Sequence, residues 1–315
     1  MSEGTPALTQ PDLERAARAL RIDALAAKVV AALAEAGIDS ILLKGSTHDF
    51  LYPGAVRGYV DVDLLVHPGH RHAAGGVLRA MGYRNLLEGA AENERPPYAD
   101  TWVRDGAPAV DLHFELPLAG APPDDVWRVL RDECSEPFVV GSGAARALTR
   151  DARLLVVALH AAKSGPHSTA GLPDLVRAAS VPLGNWGTAA GIAGRVGAID
   201  GFTAGLRMTA QTSEIADRLA LTGETPLALA LSSSGASSPA RSVGRLLTTE
   251  SIRDRVRLVL RALVPTRTSI RLTSPIANRF GAAGLALAYA ARPFKVAWRM
   301  PSAVRQVRAT LDRRH

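Results

Sequence analysis

Two aspartates at alternate positions open an apolar run that predicts a buried β-strand. The run reads Gly58-Tyr59-Val60-Asp61-Val62-Asp63-Leu64-Leu65-Val66. Because successive side chains of a strand point to opposite faces, Asp61 and Asp63 share one face. Two carboxylates held side by side repel each other unless a cation lies between them. The pair therefore indicates a site for a hard divalent ion such as Mg²⁺, which takes oxygen ligands together with substrate phosphates. The alternative is a strand end whose acids are solvated or paired with arginine.

A turn of the kind that binds phosphate precedes this strand. Ile41-Leu42-Leu43-Lys44 reads as an apolar strand that runs into Gly45-Ser46, and Ser46 or Thr47 can cap a following helix. Glycine lets the backbone approach a phosphate closely, and free N–H groups at a helix start bind anions. The spacing therefore predicts a phosphate cradle beside the metal pair, although Gly-Ser alone is a common turn.

A third acidic strand is predicted at Ala109–Leu116, where polar and apolar residues alternate. The alternation places Asp111, His113 and Glu115 on one face. If this strand lies beside the Asp61 strand, Asp111 joins the other two aspartates. Three carboxylates can hold two ions that clamp the attacking and leaving oxygens of phosphoryl transfer. The residues predicted on the opposite face are Val110, Leu112, Phe114 and Leu116.

Together these motifs resemble the bacterial nucleotidyltransferases of the DNA polymerase β superfamily. The resemblance covers roughly residues 20–180, and phenylalanine replaces the tryptophan that usually ends the third acidic motif. It implies an α+β fold: a mixed sheet with flanking helices, followed by a mainly helical C-terminal half. The matching motifs are Leu43-Lys44-Gly45, Leu51-Tyr52-Pro53, Arg57, Asp61 through Val66, Val110-Asp111-Leu112-His113-Phe114, His160-Ala161-Ala162-Lys163 and Asp174-Leu175.

The resemblance also implies a role for each motif residue. Two Mg²⁺ ions would be held by Asp61, Asp63 and Asp111, the catalytic carboxylates. A second group would bind the nucleotide phosphates, with a solvated lysine and a surface arginine as the alternatives for Lys44 and Arg57. A third group would meet the acceptor or support the site. The nucleotide group is Lys44, Gly45, Ser46 and Arg57; the acceptor group is His113, His160, Lys163 and Asp174.

The implied activity is transfer of a nucleoside monophosphate from an NTP to an acceptor hydroxyl, with release of pyrophosphate. ATP is expected as donor because it is the commonest NTP, and a small molecule or peptide is favoured as acceptor. A toxin-like enzyme acting on tRNA or a protein is the first alternative. A nucleotide-binding module without turnover is the second, and the three intact aspartates argue against it.

Length and composition bound the architecture and the compartment. The chain has 315 residues, of which 47% are hydrophobic, so it can bury a full core. The Pro-rich stretch 116–123 predicts a catalytic domain at 1–120 and a helical substrate-binding domain at 121–315.

The single Cys134 excludes an internal disulfide and cysteine-rich zinc sites. We expect a cytoplasmic protein, since the N-terminus does not resemble a signal peptide and the longest uncharged apolar run, 281–291, is too short to span a bilayer.

Positive charge is concentrated near the C-terminus. Residues 241–315 hold 15 Arg and one Lys against three acids, or +13, so the total of +7 leaves −6 for residues 1–240. A basic segment on an acidic body points to an acidic partner such as nucleic acid, a membrane surface or polyphosphate. The alternative is that these arginines line solvated helix faces.

Overall fold

The computed structural model describes residues 9–52, 58–91, 94–169, 171–181, 184–222 and 225–312. Helix α1 (Gln10–Glu35) begins at a capping pair, in which the Thr9 hydroxyl donates to Asp12 Oδ2 over 2.5 Å. It ends before Gly37, whose φ of +71° is readily adopted only by glycine. The apolar side chains at Ile22, Val29 and Leu33 face the sheet and are buried.

A seven-stranded mixed sheet forms the centre of the molecule, in the order β3-β4-β5-β2-β1-β7-β6. The β2–β5 and β1–β7 pairs are parallel, and the other pairs are antiparallel. Parallel β2 and β5 lie side by side, so the condition under which Asp111 joins the aspartates of β2 is met. The strands are β1 (Ser40–Leu42), β2 (Asp61–Val66), β3 (Arg84–Asn85), β4 (Ala99–Val103), β5 (Ala109–His113), β6 (Ser135–Val140) and β7 (Gly143–Leu148).

The two faces of the sheet bury separate cores. On one face, Val62 and Leu64 of β2 pack with α1 and with α2 (Arg71–Ala80). On the other face, Leu65 packs with Ile41 and with the helices of the C-terminal half. Since side chains alternate along a strand, Asp61 and Asp63 lie on the Leu65 face, toward the helical half.

The C-terminal half packs around α4 (Arg150–Ser164), whose side chains are buried along most of its length. It contacts several of the helices that follow it along the chain. The remaining helices are α3 (Pro123–Arg128), which continues as a wider π turn to Glu133, α5 (Gly171–Ser180), α6 (Trp186–Arg195), α7 (Ile199–Leu206), α8 (Ala210–Arg218), α9 (Leu227–Ser233), α10 (Ser238–Thr248), α11 (Ile252–Leu263), α12 (Arg267–Thr273), α13 (Pro275–Arg279) and α14 (Gly281–Asp312).

The predicted fold class is confirmed: a mixed sheet with flanking helices precedes a mainly helical half. The domain boundary at residue 120 stays a prediction, and the sheet continues past it, because β7 pairs with β1 through Leu42 and Ala147. The alternation expected over 109–116 stops at His113, where β5 ends. Leu116 consequently packs with the helical half and not on the face of Val110 and Leu112. In the part of the chain that is described, no helix is long and apolar enough to cross a membrane.

Candidate active site

The pairing of β2 with β5 brings acidic side chains together on one face of the sheet. Asp63 lies directly opposite Asp111 in the parallel register, and Asp61 lies opposite Ala109. Potential ligand atoms of Asp63, Asp111 and His113 all fall within 4.8 Å of one another. The sequence prediction that Asp111 would join the aspartates of β2 therefore agrees with the strand arrangement.

Asp63 is fully buried and accepts two side-chain bonds on one oxygen. Lys44 Nζ donates to Asp63 Oδ1 over 2.9 Å, and His113 Nε2 lies 3.1 Å from the same atom. Burial alone would raise the pKa of Asp63, but the charge of Lys44 and the bond to His113 outweigh it and hold that pKa well below its usual range. Lys44 is affected in the opposite sense: burial lowers its pKa, and Asp63 more than offsets this, so the pKa is raised. Asp63 is therefore an anion and Lys44 a cation at neutral pH.

Asp61, unlike Asp63, has a raised pKa and so binds a proton more readily than an ordinary aspartate. Burial, followed by repulsion from Asp63 and Asp111, raises its pKa to about 6, and the attraction of Lys44 only partly opposes this. The cluster thus holds more negative charge than Lys44 neutralises. This excess of negative charge favours the binding of a further cation.

Asp111 is oriented by a residue that the motif analysis did not identify. Thr101 on β4 lies opposite Asp111 in the antiparallel register, and its hydroxyl donates to Asp111 Oδ1 over 2.7 Å. The pattern of a short strand with a threonine at 101 is visible in the sequence. Its pairing register with β5 is not, because that register depends on the loop between the strands.

The predicted phosphate cradle forms a short 3₁₀ helix, Gly45–Leu51, directly after β1. Gly45 has a φ of +79°, and a Cβ there would lie 3.7 Å from the ring of Tyr59. Glycine is thus required here by backbone conformation. Gly45 is buried and Ser46 half-buried, on the chain segment that follows Lys44. Arg57, the fourth predicted phosphate ligand, lies outside the described residues.

Helix α4 brings two more predicted residues to the site from the helical half. His160 and Lys163 line a cavity of about 20 Å³ together with Lys44 and His113. Burial, then the charges of Lys44 and Lys163, lower the pKa of His160 to about 3, so its imidazole is neutral at physiological pH. A space of this size holds about one water molecule, so any larger acceptor must enter from outside it.

Tyr98 connects Lys163 to the carboxylates and was also missed from the sequence. Its ring stacks on His113 with centroids 6.1 Å apart, and Lys163 Nζ lies 4.3 Å from the centroid of the Tyr98 ring. A cation over an aromatic face is a favourable contact. The chain of contacts runs from Lys163 through Tyr98 and His113 to Asp63, which ties α4 to the metal-ligand candidates.

Asp174, the last predicted residue, lies at the junction of the two halves. It is buried on α5, and its Oδ1 accepts from the hydroxyl of Tyr52 over 2.5 Å. Its Oδ2 lies 3.8 Å from Nδ1 of His48, which is part of the 3₁₀ helix after Gly45. Asp174 therefore fixes the cradle segment against the helical half.

A larger cavity, of about 520 Å³, lies on the other face of β4, away from the carboxylates. Its lining includes Arg71, Arg79, Asp100 and Trp102. Arg71 already makes two bonds to Asp100, of 2.8 and 2.9 Å, and Arg79 lies over the ring of Trp102. Because these arginines and Asp100 already have partners, the candidate active site is the carboxylate cluster and not this larger cavity.

Comparison with known proteins agrees with this chemistry. Residues 6–211 match the family described as "Uncharacterised nucleotidyltransferase". A search of curated protein sequences finds no match. Among solved structures, the antibiotic-resistance factor ANT(2'')-Ia matches with a TM-score of 0.38 and 18% identity, over 50% of this chain and 82% of that one. Since the family match spans well over half of the sequence and includes all three aspartates, the chain belongs to this family and is a nucleotidyltransferase.

Proposed function

We propose that this enzyme transfers a nucleoside monophosphate, AMP from ATP, to a hydroxyl of a small molecule or peptide and releases pyrophosphate. The observation that carries the proposal is the set of three aspartates on one sheet face, next to the glycine turn at Gly45-Ser46. Nucleotidyl transfer needs little covalent chemistry from the protein, so positioning and charge stabilisation account for most of the catalysis.

The acidic cluster suits a divalent metal such as Mg²⁺. Its donors are mainly carboxylate oxygens, the ligands that Mg²⁺ prefers, and those of Asp63 and Asp111 lie within ligand distance of each other. The pKa of Asp61 is raised by its burial and then by repulsion from Asp63 and Asp111, which Lys44 only partly opposes. We assign Asp61, Asp63 and Asp111 to two Mg²⁺ ions. When bound there, the metal would neutralise triphosphate charge and lower the pKa of the acceptor hydroxyl.

The surrounding residues have separate tasks in this proposal. Lys44 lies 2.9 Å from Asp63, next to the cradle, so its ammonium can balance both the carboxylate and an incoming phosphate. Gly45 and Ser46 hold the β- and γ-phosphates through backbone N–H groups and a hydroxyl. Arg57 follows from the sequence motif as a further phosphate ligand. His113 and Thr101 hold Asp63 and Asp111 in place.

The helical half supplies the acceptor side. His160 is neutral and half-buried beside Lys163, so it can accept a hydrogen bond from an acceptor hydroxyl or donate one, without adding charge. The surface above this cavity, between α4 and the sheet, is the proposed entrance for the acceptor. Asp174 keeps the cradle and α5 in a fixed relation.

The test combines nucleotide binding with product formation. Calorimetry with each NTP should detect binding that tightens with Mg²⁺, and a small-molecule and peptide extract should support pyrophosphate release. In Asp63→Asn and Asp111→Asn variants, release should fall more than about a hundredfold, or about 3 kcal/mol in the barrier. Glu214→Gln, an exposed change on α8, is the control and should keep the wild-type rate.

Wild-type rates in both aspartate variants would contradict the metal assignment. Tight NTP binding without pyrophosphate release from any acceptor pool, tRNA and protein included, would instead support a nucleotide-binding module. Release only with tRNA or a protein would retain nucleotidyl transfer but replace the proposed acceptor class.

A further inference from the structure

Apolar side chains are left in solvent along the C-terminal helices. Most of the large apolar residues that are exposed in the described part of the chain lie between 247 and 300. Single exposed apolar residues are normal, but apolar residues that share one exposed face commonly mark an interaction site.

Helix α11 is amphipathic but buries none of its residues. Ile252, Val256 and Val259 follow one another at intervals of four and three residues, so they form one stripe, with Ile252 76% exposed. The helix contacts the rest of the protein through another face, at Leu258 and Ala262, which are half-buried. The apolar stripe of α11 therefore points away from the body of the molecule.

Helix α14 presents a second apolar stripe that contains two aromatic rings. Leu287, Phe294 and Trp298 are spaced by seven and four residues and so lie on one line along the helix. Phe294 is 79% exposed and Trp298 88% exposed. The two helices are in contact, since Arg292 Nε donates to the carbonyl oxygen of Ala262 over 3.0 Å.

Cationic side chains border both stripes. On α11, helical geometry puts Arg253 and Arg257 along one edge of the apolar stripe and Arg255 along the other. Arg257 is bonded to Asp254 over 2.9 Å, and Glu250 lies before the helix, so the acids there are few. The exposed cations of this surface are Arg253, Arg255, Arg257, Lys295 and Arg299.

We propose that the exposed faces of α11 and α14 bind the surface of an anionic lipid bilayer. A helix with an apolar face bordered by arginine and lysine lies in the plane of the bilayer interface, with its apolar side chains among the acyl chains. Tryptophan and phenylalanine favour this region, and lysine and arginine are drawn to anionic headgroups. Nucleic acid would use the same positive charge, but it offers no environment for the aliphatic residues Ile252, Val256 and Val259. The surface thus fits a membrane better than RNA.

The experiment is flotation of the full chain with vesicles, and it is independent of catalysis. Vesicles of phosphatidylcholine with about 30 mol% phosphatidylglycerol are compared with pure phosphatidylcholine, at about 50 mM and about 300 mM NaCl. We expect binding to the anionic vesicles only, weaker at the higher salt. Tryptophan emission should shift to shorter wavelength on binding, and the shift should be lost in Trp298→Tyr.

Two variants separate the apolar and the charged contributions. Phe294→Ser/Trp298→Ser and Arg253→Gln/Arg255→Gln should each weaken vesicle binding about tenfold or more. Leu20→Ser/Val139→Ser is the matched control and should bind as wild type, since these residues are 70% and 74% exposed on α1 and β6. Thermal melting verifies that each variant is folded, as expected for changes at exposed positions.

Three outcomes would overturn the proposal. The first is no vesicle binding by the wild-type chain at low salt, or equal binding to neutral and anionic vesicles. The second is RNA binding that the arginine variant loses, in a protein that ignores vesicles. The third is self-association that the Phe294/Trp298 variant abolishes, again without vesicle binding, which would identify the surface as an interface between copies of the chain.

Discussion

Replacing Asp61 by asparagine should stabilise the metal-free protein, and only above mildly acidic pH. The pKa of Asp61 is about 6 in the folded chain against an ordinary value of 3.8. The folded protein therefore binds a proton that the unfolded chain has already lost between these two values. Stability falls as pH rises through this window, because the folded state must give up that proton or hold a repelled charge. An asparagine side chain carries no such charge and avoids this loss.

The size of the effect follows from the same values. The difference of about two pKa units corresponds to about 3 kcal/mol, and because Asp61 is partly exposed we expect about half of it, ~1.5 kcal/mol. The Asp61→Asn variant and wild type should have equal stability near or below about pH 4 and differ fully above about pH 6. The measurement is urea unfolding with EDTA at about pH 4 and about pH 8, with Glu214→Gln as a control that shows no such pH-dependent gain.

Magnesium should reduce the stability advantage of Asp61→Asn over wild type. Any ligand that binds the folded state alone stabilises it, and under our assignment the wild type offers a carboxylate that the variant lacks. Added Mg²⁺ should therefore raise the stability of wild type more than that of Asp61→Asn. If the variant is less stable than wild type at pH 8 without metal, or if the difference does not change with pH, the reasoning about Asp61 is wrong.

Two further predictions concern the support of the site and of the core. Thr101→Val removes the 2.7 Å bond to Asp111 at nearly constant volume, so kcat/KM for pyrophosphate release should fall about tenfold with melting almost unchanged; an unaltered rate would exclude a positioning role. Gly205→Ala would place a Cβ 2.2 Å from the carbonyl oxygen of Ala158, where α7 crosses α4, and should cost about 2 kcal/mol or more in urea unfolding. At Gly191 in α6 a Cβ meets nothing within 4 Å, so Gly191→Ala should stabilise by about 0.5–1 kcal/mol, and equal effects of the two alanines would contradict the packing argument.

The sequence predicted the acidic strands well because their signal is local. The pattern of acidic and apolar residues located β2 and β5, whereas their pairing was only a condition in the sequence; the parallel register of the structure places Asp111 beside Asp63. For each strand a few neighbouring residues determine the backbone conformation, so no knowledge of the rest of the chain is needed.

Features that depend on distant pairing were not predictable in the same way. Strand β7, Gly143–Leu148, consists largely of small residues with weak strand preference and forms because β1 and β6 flank it. The contacts of Thr101 with Asp111 and of Tyr98 with His113 depend on the register of β4 against β5. Residue type alone also did not distinguish Asp61 from Asp63, whose pKa values shift in opposite directions because only Asp63 is bonded to Lys44 and His113.

The position of β1 between β2 and β7 has a consequence for how the protein is made. Ile41 and Leu42 are fully buried in the finished sheet, yet one neighbour of their strand is not synthesised until about residue 148. During translation, β1 would be an edge strand with unpaired backbone groups, a condition that invites association between chains. A nascent or truncated chain ending near residue 120 would therefore expose the strand that leads to the phosphate cradle. Such a chain would also lack the helices that cover Ile41 and Leu65, so it would expose an apolar sheet face together with the open strand edge.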